Sequence, residues 1–269
     1  MPEPSLLLNR DDDVVTLTFN DPDRRNAMTR AMGEAFAAEI ASLADDPHLR
    51  ALVLTGAGRA FSAGGDLEML EHQANAGAAD PSGAQPRIRE TMRAFYGLFL
   101  RVREIPCPTI AALNGSAIGA GLCVALACDV RVAATDAKLG LNFTALGLHP
   151  GMGATWTLPR LVGPARAAEL LFSSRILSGA EAAEIGLVNR AVAREEVLPT
   201  ALELARSFAA NGPMAVRGVK RALAQSGEST LTAQLDFEAD VQAWCFTAAD
   251  VQEGLAAVRA KRAPRFSGD

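Results

Sequence analysis

The chain alternates between short runs of apolar residues and longer segments in which apolar residues return every three or four positions. Val14–Phe19, Ala51–Gly56, 110–113, Val130–Ala134, 137–141 and 187–192 are runs of the first kind, and each predicts a strand. The second kind begins after Thr29, an N-cap residue type, where Met32, Phe36, Ile40 and Leu43 mark one face of a helix. Ile88, Met92, Phe95, Phe99 and Val102 mark a long amphipathic helix that Pro106 and Pro108 close off. Ser178-Gly179-Ala180-Glu181 is a capping box opening a short helix that ends at Gly186. From Glu195 onward the pattern is helical, with breaks near Gly212-Pro213 and Gly227. Asn20-Asp21-Pro22-Asp23 is a turn by composition. Residues 72–87, rich in Ala, Gly, Pro and Ser, predict a mobile surface loop.

One corner carries candidate chemistry. After the run 110–113 the chain turns at Asn114-Gly115, and Gly119-Ala120-Gly121 then opens an apolar helix over 122–128. Small side chains there let a ligand approach the backbone closely. The first N–H groups of a helix lack intrahelical acceptors and lie at the positive end of its dipole, so such a corner can hold developing negative charge. The same residues serve equally for close packing of helix on strand.

Composition narrows the function classes. The 269 residues permit one large domain or one with an appendage, and 49% apolar content supplies a core. Aromatic content is only 5%, so Ala, Leu and Val must do most of the packing. A net charge of −5 argues against a general nucleic-acid binder. No apolar run approaches the about 20 residues of a membrane span, and the first ten residues lack a targeting pattern. Cys107, Cys123, Cys128 and Cys245 show no paired metal spacing and read as reduced thiols of a cytoplasmic protein. Histidine occurs only at 48, 72 and 149, which argues against a multi-histidine metal site.

The stretch Ile110 through Asn114-Gly115 and Gly119-Ala120-Gly121 to Cys128-Asp129-Val130 resembles the signature of the crotonase superfamily, the enoyl-CoA hydratase/isomerase family. Gly58 to Leu67 resembles its second signature, Asn20 to Met28 its first coenzyme A-binding segment, and Pro150-Gly151-x-Gly153 a further block. Asp250 to Gly254 and Ala260-Lys261-Arg262 resemble its C-terminal segment. The resemblance implies an α/β crotonase (ClpP-like) spiral of β-β-α units, with residues 1–194 as the core. It implies that 195–269 form a C-terminal helical oligomerisation region, packed on the core or on neighbouring subunits of a homotrimer or hexamer. It implies an acyl-CoA thioester as substrate and no separate cofactor, coenzyme A being part of the substrate. The implied oxyanion hole pairs the N–H of Gly65 with that of Ala120. The implied substrate contacts come from Arg24, Arg25, Ala27, Ala63, Gly64, Asp66, Leu67, Gly119 and Lys261.

Two positions depart from the family. Orthodox hydratases carry one glutamate three residues beyond the helical oxyanion donor and another in the block before Pro-Gly-x-Gly; this chain has Cys123 and Phe143 there. Each acid–base group of that kind is worth a factor of about 10²–10⁴. The expectation is therefore isomerase, decarboxylase or other lyase chemistry through an enolate rather than simple hydration, or binding of acyl-CoA without turnover. Cys123 is either a thiol activated by the helix N-terminus or a small packing residue. His149 is either a proton shuttle or a loop histidine. Glu68 and Glu71 are weaker acid–base candidates, and Asp66 reads as a loop-fixing carboxylate. Dehydrogenase chemistry is excluded, because Tyr96, the single tyrosine, is followed four residues later by Leu100 and not by Lys.

Overall fold

A computed structural model describes residues 4–268. An antiparallel edge strand, β1 (Leu6–Asp11), lies beside β2 (Val14–Phe19), and α1 (Arg30–Ala44) follows. Thr29 caps α1 through its hydroxyl, which accepts from the Met32 N–H. Three β-β units come next. β3 (Ala51–Gly56) and β4 (Ala60–Ser62) lead to α2 (Leu67–Ala79) and α3 (Pro81–Leu100). β5 (Thr109–Leu113) and β6 (Ser116–Ile118) lead to α4 (Ala120–Ala127). β7 (Val130–Ala134) and β8 (Lys138–Gly140) lead to α5 (Ala154–Val162) and α6 (Pro164–Ser173). A last unit holds β9 (Leu177–Ser178), α7 (Gly179–Glu184) and β10 (Arg190–Val192).

Each unit sends its longer strand to one sheet and its shorter strand to another. The large sheet has the order β1-β2-β3-β5-β7-β10 and is parallel from β2 onward; the small sheet has the order β4-β6-β8-β9. β3 and β5 are buried along their whole length, which is why residues 51–54 and 110–113 are unbroken apolar runs. Several of the few aromatic rings gather in one place. Phe19 of β2 stacks on Phe36 of α1 at 5.4 Å and meets Phe61 of β4 edge-on at 5.6 Å, while Phe99 of α3 lies 5.7 Å from Phe36. That cluster locks the large sheet, the small sheet and two helices together.

Residues 72–87 are not a loop. They form the end of α2 and the first turns of α3, separated at Asp80. Alanine favours helix, Pro81 sits at the first helical turn where its missing N–H is harmless, and Asp80 caps the helix by accepting from the Gly83 N–H at 3.0 Å. The last strand begins at Arg190 rather than 187, because Leu187 and Val188 are buried in the turn after α7.

Beyond the sheets lie α8 (Val197–Ala209), α9 (Pro213–Ser226), α10 (Leu231–Thr247) and α11 (Ala249–Ala260). α8 packs across β3, β5 and β7 with Val197, Ala201 and Ala205 fully buried. α9 is pinned by Lys220, whose ammonium donates to the Asp129 carboxylate at 2.7 Å and to the Cys107 carbonyl at 2.8 Å. α10 has no buried residue and leaves Leu231, Trp244 and Phe246 open. No helix among the described residues is long and apolar enough to cross a membrane.

Candidate active site

The site is built where the small sheet delivers two chain segments side by side. β4 and β6 are parallel neighbours, so their C-terminal ends emerge together. β4 runs into Ala63-Gly64-Gly65, and β6 runs into Gly119 and the first turn of α4. Two glycines make the close approach possible. Gly64 has φ +93° and its α-carbon faces the other segment: a β-carbon there would stand 2.5 Å from the Ile118 carbonyl oxygen and 3.4 Å from the Ala120 nitrogen. Gly119 turns the chain with φ +53°, and its N–H donates to the Gly140 carbonyl of β8 at 2.8 Å.

A buried polar framework holds the first segment. Asn26, fully buried with φ +55°, donates through its amide to the Ala57 carbonyl at 2.9 Å and the Ala60 carbonyl at 2.8 Å, and accepts from the Asp21 N–H at 2.9 Å. Ser62, also fully buried, donates to the Asn26 carbonyl at 2.8 Å and accepts from the Gly64 N–H at 3.1 Å. The Met28 N–H donates to the Gly64 carbonyl at 2.8 Å and the Ala63 N–H to the Arg25 carbonyl at 2.9 Å. With its flanking amides and carbonyls so occupied, the turn leaves the Gly65 N–H without an acceptor among the described residues, and the Ala120 N–H, at the start of α4, likewise has none. Two amide N–H groups, of Gly65 and Ala120, thus remain free on adjoining segments.

The structure brings most of the sequence-derived candidates to this corner. Arg24, Arg25, Ala27 and Ala63 lie on the segments just described, and Arg24 donates to the Asp66 carboxylate at 2.8 Å, tying the first segment to the start of α2. Asp66 stands at the N-cap of α2 without capping it, so the arginine is its partner. Leu67 is 67% exposed, and Glu68 and Glu71 point outward on the same helix. The Phe143 ring reaches within 3.9 Å of a β-carbon placed on Gly119, and it is half-buried. His149 is exposed, with its Nδ1 2.8 Å from the Pro150 carbonyl oxygen. Lys261 stands at the far end of α11 in the left-handed region, and no hydrogen bond or ion pair ties it to the corner.

Cys123 lies on the first turns of α4 with its backbone N–H bonded to the Gly119 carbonyl at 3.1 Å. Its sulfur is 3.7 Å from the Gly151 carbonyl oxygen, and only 2% of the residue is exposed. Burial pushes the thiol up to about 12, so it stays protonated at neutral pH and is neither base nor nucleophile there. Cys128, fully enclosed, is pushed up to about 12 by the same cause. No group of three or more His, Cys, Asp or Glu that could hold a metal ion exists among the described residues.

Sequence reasoning missed Asn26 and Ser62 as the frame of the corner, although each is a buried polar residue beside a turn. It also passed over Tyr96, whose phenol lies against Gly151, and Asn142, whose Oδ1 is 3.5 Å from a β-carbon on Gly119.

The pattern of the enoyl-CoA hydratase/isomerase family matches residues 9–269. The 1,2-epoxyphenylacetyl-CoA isomerase of Escherichia coli K12 is 39% identical over 256 residues, covering 95% of each chain. The crotonyl-CoA hydratase of Syntrophomonas wolfei is 33% identical over 263 residues, covering 97% of each. Among solved structures, the enoyl-CoA hydratase of Bacillus anthracis superposes with a TM-score of 0.91 at 34% identity, covering 99% of this chain and 100% of that one.

Proposed function

The chain belongs to the enoyl-CoA hydratase/isomerase family and has its crotonase fold, and from that premise we propose that it is an acyl-CoA isomerase, decarboxylase or other lyase working through a thioester enolate. The thioester oxygen sits between the N–H groups of Gly65 and Ala120, which lower the energy of the enolate as charge moves onto that oxygen. Arg24 and Arg25, on the exposed segment beside the corner, meet the coenzyme A nucleotide together with Ala27, and Lys261 reaches a coenzyme A phosphate. The reading needs no cofactor beyond the coenzyme A of the substrate.

The observation that carries the reaction class is the pair Cys123 and Phe143. One is a buried thiol that stays protonated, the other a hydrocarbon ring, and both flank the oxyanion corner. Neither activates water and delivers its proton as a pair of carboxylates does. The related proteins include both an isomerase and a hydratase, so membership of the family leaves the reaction open. The same observation favours a second reading, a homologue that binds acyl-CoA without turning it over.

Calorimetry with acyl-CoA thioesters of several chain types, followed by product analysis of each mixture, tests both readings. Binding with altered product supports the enzyme, binding with no product supports the second reading, and the absence of binding to every thioester overturns both. We also assign the exposed apolar residues of α9, α10 and α11 to a homotrimer or hexamer in the cytoplasm; a stable, dilute monomer in sedimentation overturns that assignment.

A further inference from the structure

Tyr96 on α3 is an unused functional group at the corner. A β-carbon on Gly151 would stand 2.5 Å from the Tyr96 hydroxyl oxygen and 2.8 Å from the ring carbon that bears it, so the phenol fills the space a side chain at position 151 would take. The Gly151 carbonyl is also what the Cys123 sulfur meets at 3.7 Å. Cys123 lies three residues beyond Ala120 on α4, which places the two on one helix face, about 5–6 Å apart. Tyr96 and Cys123 thus both meet Gly151, and Cys123 stands one helical turn from Ala120. The Tyr96 hydroxyl makes no hydrogen bond among the described residues, and it is not one of the polar atoms sealed from solvent without a partner. A phenol that packs its ring and keeps its hydroxyl open awaits a partner from solvent or ligand.

Resting on the acyl-CoA reading above, we propose that the Tyr96 hydroxyl forms the polar end of the acyl pocket. There it donates a hydrogen bond to an oxygen carried by the acyl group near its thioester, so that oxygen-bearing acyl-CoAs are preferred over plain hydrocarbon ones. Burial and the neighbouring Cys123 push the phenol above its ordinary pKa. It stays protonated at neutral pH and acts as a donor rather than a base. Of the two side chains at the positions of the missing glutamates, the Cys123 thiol offers a weak donor and the Phe143 ring none.

The test uses butyryl-CoA and 3-hydroxybutyryl-CoA as a matched pair, with affinities measured calorimetrically on the wild type, Tyr96→Phe and Gly151→Ala. The wild type prefers the hydroxylated thioester by about 2- to 13-fold, the worth of one net hydrogen bond. Tyr96→Phe brings the ratio to about one and leaves butyryl-CoA affinity unchanged, because the ring is kept and only the donor is lost. Gly151→Ala displaces the phenol and lowers the ratio by an independent route; should Tyr96→Phe fail to fold, it carries the test alone. A ratio that survives either folded variant overturns the inference. If the wild type binds neither thioester, the acyl-CoA reading itself falls, an outcome distinct from binding of both without preference, which overturns only the role of Tyr96.

Discussion

Alanine at position 64 perturbs the corner with the smallest possible side chain. Gly64 has φ +93°, and its new β-carbon would meet the Ile118 carbonyl oxygen at 2.5 Å. An ordinary carbon–oxygen contact is about 3.3 Å, so the two segments must part by roughly 0.8 Å. The positive φ adds a strain of order 1–3 kcal/mol. Ser62, Asn26 and the Met28 N–H hold the first segment, so the movement opens the gap between Gly65 and Ala120 rather than displacing either segment whole. Loss of one oxyanion donor costs about 2.7–4 kcal/mol of barrier, a factor of about 10²–10³ in turnover. The direct assay is difference infrared spectroscopy of a bound acyl-CoA labelled at its thioester carbonyl. The wild type shifts that stretch to lower frequency through two N–H donors, and Gly64→Ala largely abolishes the shift while the protein remains folded. An undiminished carbonyl shift in the folded variant refutes the placement of the oxyanion at these two amides.

The framework residues give a second expectation. Asn26→Ala takes the amide donor from the Ala57 and Ala60 carbonyls and the acceptor from the Asp21 N–H, at a residue that is itself fully buried. Stability falls by about 2–4 kcal/mol in chemical denaturation and acyl-CoA affinity falls with it; a loss below about 0.5 kcal/mol, the usual size of a surface change, contradicts the role given to Asn26. The thiols give a third. Cys123 and Cys128 are buried with pKa values pushed up to about 12, so a native-state thiol reagent at pH 8 labels Cys245, the one half-exposed cysteine, and spares both until the chain is unfolded. The sign is that of a buried acid: the thiolate fraction grows only as pH approaches 12, and rapid labelling of Cys123 at pH 8 contradicts it.

The sequence was most legible where burial is two-sided. β2, β3 and β7 are almost wholly buried within the large sheet, so apolar residues dominate them, broken only by Thr16, Thr18, Thr55 and Arg131, and their ends match the predicted strands. β4 and β6, three residues each, are too short to show any period, yet they are the elements that align the two halves of the corner. β1 was silent because it is an exposed edge strand. The helical start at Ala120, two residues before the apolar run, is hidden by the small residues that also make the corner open. Gly64-Gly65 and Gly119-Ala120-Gly121 were legible as local clusters of small residues, whereas the approach of Tyr96 to Gly151 joins two distant parts of the chain and leaves no local trace. The residues 72–87 misled because Gly and Pro among alanines read as a break, while Pro81 and Asp80 in fact begin a helix.

The hydration rate on crotonyl-CoA, compared between the wild type and a Cys123→Glu, Phe143→Glu double variant, tests the central claim most directly. Each missing carboxylate is worth about 10²–10⁴, and groups that act as a unit are far from additive. The account predicts wild-type hydration at least about 10²-fold slower than that of a two-glutamate family hydratase, with a gain in the folded double variant. Wild-type turnover equal to that of such a hydratase contradicts the account and reveals an acid–base pair elsewhere in the site.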